Sequence, residues 1–273
     1  MFFLRYHFVT AIILSCTAKC VSSTDVHRIV GGDYAPPKFG LFHASLQNVS
    51  GHHVCGGAIV SKWHVVTAAH CVKEAQPRYI KIVAGTADLD AGGKSYDTFA
   101  VNVFRQFEFI KRSNDVALLT INGEFDLLKV TVLKPSKAIL KENDPVTLIG
   151  FGAKKPNGES SRVLRYLNLS VFNQQTCRYA MRYTRNVTET MFCTFKRIGQ
   201  GTCHGDSGSP ITRNNELVGL VSWGIPCAVG FPDVHTRIAP YIDWIETVVR
   251  THACKLKLIA KAKIASEKLG LLK

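Results

Sequence analysis

The sequence predicts an all-β protein of antiparallel sheet, finished by one helix close to its C-terminal end. Three observations carry this. Between Ile29 and about Pro240 the apolar segments are short and rich in Val, Ile, Leu and Phe. Clusters of Gly, Asn and Pro interrupt them, as turns between antiparallel strands require. The first amphipathic run of helical length comes only at Pro240 to Val249.

The strand candidates follow in order: Ala58 to Thr67, Val116 to Ile121, Val146 to Gly150 and Leu217 to Trp223. Each is short, and too apolar for a solvated loop. In the helix candidate, Pro240 suits a first turn because its missing N–H would have no partner there. Ile242, Ile245 and Val249 then recur at helical spacing. No internal repeat is visible, and 273 residues suffice for one domain or two.

Both ends read differently from the middle. Met1 to Ser23 begins with Arg5, continues through the apolar run Phe8 to Leu14 and reaches small residues at Cys16, Ala18, Ser22 and Ser23. That is the grammar of a secretory signal, too short for a membrane span, and it predicts a secreted, extracellular protein with a signal peptide at 1–18. Nine cysteines then imply disulfides, whose connectivity spacing alone does not give. The sequons at Asn48, Asn168 and Asn186 fit the same route.

Three segments carry chemistry. Thr67-Ala68-Ala69-His70-Cys71 offers an imidazole, Asp115-Val116-Ala117-Leu118-Leu119 a carboxylate, and Cys203-His204-Gly205-Asp206-Ser207-Gly208-Ser209-Pro210 a hydroxyl. A serine is a poor nucleophile near neutral pH unless a base lies within hydrogen-bond reach, and that base needs a partner to fix its tautomer. The order His, Asp, Ser along the chain also separates this arrangement from triads on unrelated folds. With Ile29-Val30-Gly31-Gly32 and Ser222-Trp223-Gly224, these segments resemble the chymotrypsin-like serine peptidases from Ile29 to about Cys254.

The resemblance implies two six-stranded antiparallel β-barrels closed by the C-terminal helix, a peptidase domain at 29–254 and a junction near 134–144. It implies a triad of His70, Asp115 and Ser207, with the backbone N–H groups of Gly205 and Ser207 as the oxyanion hole. The implied disulfides are Cys55 with Cys71, Cys177 with Cys193, and Cys203 with Cys227. Arg28-Ile29 is the implied activation bond after a propeptide at 19–28, cut by an activating peptidase, with the new Ile29 ammonium beside Asp206. Cleavage of the signal after Ala18 would leave Cys20 to pair with Cys254; cleavage after Ser22 would leave Cys254 unpaired.

The implied substrate pocket comprises Gly201, Thr202, Ser222, Trp223, Gly224 and Asp233. Its floor, Gly201, lacks the carboxylate that selects Arg or Lys at P1, the residue on the acyl side of the scissile bond. Asp233 on the neighbouring strand restores a carboxylate to the wall, an exchange also found in the crab collagenolytic peptidases. Broad preference for basic and bulky apolar P1 residues is therefore expected. Narrow chymotrypsin-like or elastase-like specificity is the alternative if Asp233 faces away, and a catalytically silent binding protein is the rival from another class. Two residues depart from the family pattern: Ser209 replaces a glycine, and His235 replaces a tyrosine where it could partly neutralise Asp233.

The formal charge is +14, of which the tail, residues 255–273, carries +5. Basicity of this kind suits an anionic glycan or lipid surface and is not a nucleic-acid motif. Lysines and apolar residues nearly alternate from Lys255 to Ile264, whereas the Lys, Ala and Leu content favours helix. With the signals in conflict, a disordered tail is expected. The ten histidines are scattered and no acidic calcium loop stands out, so no metal or cofactor is expected. The partners expected are peptide or protein substrates, met by a monomer.

Overall fold

In the computed structural model, residues 29–36 and 38–268 are described. The signal, the propeptide with Cys20 and Arg28, and the last five residues lie outside them.

Six strands make the first barrel: β2 (His43–Gln47), β3 (His53–Ser61), β4 (His64–Thr67), β5 (Lys81–Ala84), β6 (Lys94–Val103) and β7 (Ala117–Ile121), after a two-residue β1 (Asp33–Tyr34). They close in the order β2-β3-β4-β7-β6-β5. Leu46, Ile59, Val65, Ile82, Leu119 and Ile121 fill its interior. The second barrel is β9 (Pro145–Gly150), β10 (Arg165–Phe172), β11 (Met191–Thr194), β12 (Pro210–Arg213), β13 (Glu216–Trp223) and β14 (Asp233–Arg237), preceded by a short β8 (Lys134–Pro135). The pairing β9-β10-β11-β14-β13-β12-β9 closes it, with β1 added beside β10 and β8 beside β13. Strand β10 shows the two-residue period at its clearest: Leu167, Leu169 and Val171 are buried and Asn168 and Ser170 exposed.

The continuous apolar run of β7 has a different cause. All five of its residues are buried, because Leu119 and Ile121 face the barrel interior while Leu118 faces the other barrel. There Ala58, Val66, Val116 and Leu118 pack against Leu217, Leu220, Ile238, Tyr241, Ile242 and Ile245. Burying each large aliphatic side chain contributes about 1.5–3 kcal/mol, so this layer fixes how the barrels meet. The connecting segment leaves the first core at Val130 and joins the second at Leu140.

Several elements differ from the sequence reading. Ala58 to Thr67 is the end of one strand and the whole of the next, joined by a tight turn at Lys62-Trp63. A short helix α1 (Gln174–Met181) lacks the length for a periodic signal; the Asn173 side chain accepts the Thr176 N–H at its start, and Cys177 and Met181 bury its inner face. Pro240 lies in a 3₁₀ turn, Ala239–Tyr241, from which helix α2 (Ile242–Lys268) begins. That helix continues through most of the tail expected to be disordered. No Gly or Pro intervenes between Pro240 and Gly270, so helix-favouring Lys, Ala and Leu prevail over the alternating pattern. Among the described residues, no helix is long and apolar enough to cross a membrane.

Candidate active site

Register brings the imidazole to the carboxylate. Thr67, the last residue of β4, pairs with Ala117, the first of β7. His70, three residues beyond one, and Asp115, two before the other, therefore leave the barrel at the same edge. His70 occupies a 3₁₀ turn, Ala69–Cys71, anchored to β3 by the Cys55–Cys71 disulfide. Its Nδ1 lies 2.7 Å from Asp115 Oδ2, and its backbone N–H donates to Oδ1 at 2.8 Å. Nδ1–H donation to the carboxylate leaves the Nε2 lone pair available.

The second barrel completes the hold on Asp115. The Ser222 hydroxyl donates to Oδ2 at 2.5 Å, and the Thr236 hydroxyl donates to the Asp115 carbonyl at 3.0 Å. Asp115 is fully buried. Burial pushes its carboxyl up to about 7, against the Ser222 hydrogen bond, the Arg112 charge and the Ala69 N–H, which favour the ionised form. Ser222 belonged to the sequence reading only as pocket wall, and its grip on Asp115 left no trace in the motif.

Ser207 stands on the loop entering β12 and lines, with His70, a cleft of about 210 Å³. The loop is pinned on both sides: Gly56 N–H donates to the Ser207 carbonyl and Gly208 N–H to the Val221 carbonyl, each at 2.8 Å. Gly208 has φ +76°, and a Cβ there would meet the Gly56 oxygen at 2.5 Å, so both conformation and space demand glycine. No hydrogen bond joins the Ser207 hydroxyl to His70 here; such contacts are commonly long before substrate binds.

No described residue accepts the N–H of Gly205 or of Ser207, although Asp206 and Ser209 donate within the loop and Gly208 donates to Val221 on β13. Gly205 (φ +91°) is turned by its carbonyl, which accepts from His53 Nε2 at 2.9 Å. His53 Nδ1 in turn takes the Ser45 hydroxyl at 2.8 Å. Burial pushes His53 down to about 4, so the ring is neutral and its tautomer is the one that donates to Gly205. The sequence reading missed this support, because nothing in the motif links position 53 to 205.

Asp206 is fully buried and accepts the Gly152 and Cys203 N–H groups at 3.0 and 2.9 Å. Burial pushes its carboxyl up to about 7. Nearby, Ile29 is fully buried, and Val30 bridges Gly201. Arg28 lies outside the described residues.

Asp233 opens β14 and turns inward, 5% exposed. A Cβ on Gly201 would meet its Oδ2 at 2.6 Å, and one on Gly224 its Oδ1 at 3.2 Å. It accepts the Thr202 N–H at 2.8 Å and the Thr202 hydroxyl at 2.6 Å. Burial pushes it up to about 6. The expectation that His235 neutralises Asp233 is corrected: His235 Nε2 lies 2.7 Å from the Thr194 hydroxyl, and burial pushes the ring down to about 3, so the imidazole is neutral and has no charge to set against Asp233. Ser209 has no positive φ, and its hydroxyl meets His43 Nε2 at 3.2 Å.

The three disulfides Cys55–Cys71, Cys177–Cys193 and Cys203–Cys227 are formed. Cys254 is free and exposed among the described residues. Cys55, Cys71 and His70 lie within ligand distance of one another, but two disulfide sulfurs offer no thiolate.

A family model described as Trypsin matches residues 29–245. Chymotrypsin-2 of Vespa crabro is 36% identical over 220 residues, covering 80% of this chain and 98% of that protein. Trypsin 5G1 of Aedes aegypti is 34% identical over 226 residues, 81% of this chain and 85% of its own. Trypsin II-P29 of Gallus gallus is 31% identical over 258 residues, 88% and 98%. Two closed barrels, a buried carboxylate bonded to an imidazole and a serine in the same cleft accompany those matches, and the chain belongs to the trypsin family of chymotrypsin-like serine endopeptidases.

Proposed function

We propose that Ser207 is the nucleophile, His70 the general base and acid, and Asp115 the group that orients His70 and stabilises its cation. Ser207 attacks the scissile carbonyl as His70 Nε2 takes its proton; the same nitrogen returns the proton to the leaving amine, and water repeats the sequence to release the acyl group. The Gly205 and Ser207 N–H groups receive the oxyanion. Donors already aimed at the developing charge need no reorganisation during reaction. One observation carries this reading: the 2.7 Å Asp115–His70 contact opens on a cleft shared with Ser207.

The protein is secreted and made as a zymogen in this proposal. Cutting Arg28-Ile29 frees an ammonium on a residue already buried, and Asp206 is a buried carboxylate whose partners among the described residues are backbone N–H groups. A buried charge without a counter-ion is strongly unfavourable, so the new terminus pairs with it and fixes the Gly205 to Ser207 turn. In the pocket, Asp233 supplies a negative wall for Lys or Arg, and Gly201 leaves space for bulky apolar side chains. The exposed lysines at 255, 257 and 261 on α2 give the monomer a basic segment for anionic glycans or lipid.

The test is Ser207→Ala in activated protein. Turnover falls on the order of a million-fold with folding intact, and labelling by a fluorophosphonate disappears. Normal peptide cleavage by the alanine variant overturns the assignment.

A further inference from the structure

The cleft contains two cations for which bond cleavage has no use. Arg112 and Arg185 line it beside His70, Ser207 and Trp223. Arg112 precedes Asp115 by three residues and lays its guanidinium 4.5 Å from the Phe109 ring centroid. Arg185, on the loop after α1, donates from Nε to the Ile110 carbonyl at 2.9 Å. Its guanidinium carbon lies 5.6 Å from the Trp223 ring centroid. The bond to Ile110 draws the second cation to the loop that carries the first. Burial, together with the Arg185 charge, holds Arg112 below the usual guanidinium range.

Neither guanidinium forms an ion pair among the described residues, and Arg112 Nη1 is buried without a hydrogen-bond partner. Asp115 is close enough for its charge to act on Arg112, yet its oxygens are committed to His70 and Ser222. Two like charges facing one cavity repel, and an unpaired buried donor is costly. A carboxylate between them relieves both, with the planar, bidentate geometry that guanidinium groups favour.

Position along the cleft sets which part of a substrate supplies the carboxylate. In the catalytic reading above P1 seats beside Asp233, against which Gly224 lies, and the residues preceding P1 are taken to pass Trp223, over which Arg185 lies. We infer that Arg112 and Arg185 form an anion-binding subsite that selects substrates carrying Asp or Glu among the three residues preceding P1. This rests on the catalytic reading above.

The experiment compares peptides identical except for Glu or Gln at each of those three positions. Activated enzyme at low salt prefers Glu at one or more of them by about five- to tenfold in kcat/KM, the size of a partly exposed charge-assisted contact. The preference collapses toward unity in about 1 M NaCl, where the screening length is about 3 Å. Arg112→Gln and Arg185→Gln each lower the Glu-to-Gln ratio, and the double variant brings it to about one. Because the ratio is taken within each variant, any effect on Asp115 cancels. The inference is overturned if the ratio is near one at all three positions in the wild type, or if it survives in the double variant. Fluorescein-labelled Glu and Gln peptides binding to Ser207→Ala protein, read by anisotropy, decide the subsite without turnover. Normal cleavage by that variant would instead sink the catalytic assignment.

Discussion

Asp233→Asn removes a buried negative charge while nearly keeping the side chain's shape, so it separates the pocket's electrostatics from its geometry. The carboxylate takes two hydrogen bonds from Thr202 and forms no ion pair among the described residues. Raising this carboxyl from 3.8 to about 6 costs its ionised form on the order of 3 kcal/mol at neutral pH. The folded value lies above the unfolded one, so the stabilising contribution of the protonated group is complete below about pH 4 and is lost as pH rises through about 6. The neutral amide of the variant carries no such cost. The variant therefore melts higher than the wild type at pH 8, by about 6–12 °C for a domain of this size, and shows no advantage at pH 4. Function moves the other way: charge-assisted hydrogen bonds to a substrate cation are worth about 1.5–3 kcal/mol, so kcat/KM for Arg and Lys falls about 10- to 150-fold. Leu and Phe substrates keep their rates. Fluorogenic peptides that differ only at P1, assayed on activated protein across pH, read both effects; in the wild type the Lys-to-Leu ratio itself declines as pH drops through about 6. Equal loss on every substrate, or undiminished Arg cleavage, would refute the assignment of Asp233 to the pocket wall.

Two further outcomes follow from the activation site and the turn. Arg28→Gln yields secreted protein that a basic-specific peptidase no longer activates; full activity on synthetic peptides without cleavage would remove the Ile29–Asp206 pairing from the mechanism. Ser209→Gly strips His43 Nε2 of its hydroxyl partner inside a buried site and costs about 1–3 kcal/mol; urea denaturation that gives an unchanged midpoint would show that the Ser209–His43 contact carries no stability.

The sequence by itself determined the fold class and the residues that bear chemistry, because both are written locally. Short apolar runs between turn formers specify antiparallel strands, and the residues around His70, Asp115 and Ser207 form contiguous signatures. Counting from Val234-His235-Thr236 also put Asp233 near Gly201, and the two are adjacent in the structure. What the sequence left open depended on groups that meet only through strand register and barrel packing. Ser222 reaches Asp115 across 107 residues and His53 reaches Gly205 across 152, distances over which no local pattern reports. His235 is a buried neutral ring bonded to Thr194, a pairing that the register of β11 against β14 decides. The Arg112 and Arg185 pair likewise exists only because one loop carbonyl, that of Ile110, draws together two segments remote in the chain. Local composition sets what each segment can do, and the long-range contacts that expel water from the barrel interface decide which of those groups meet.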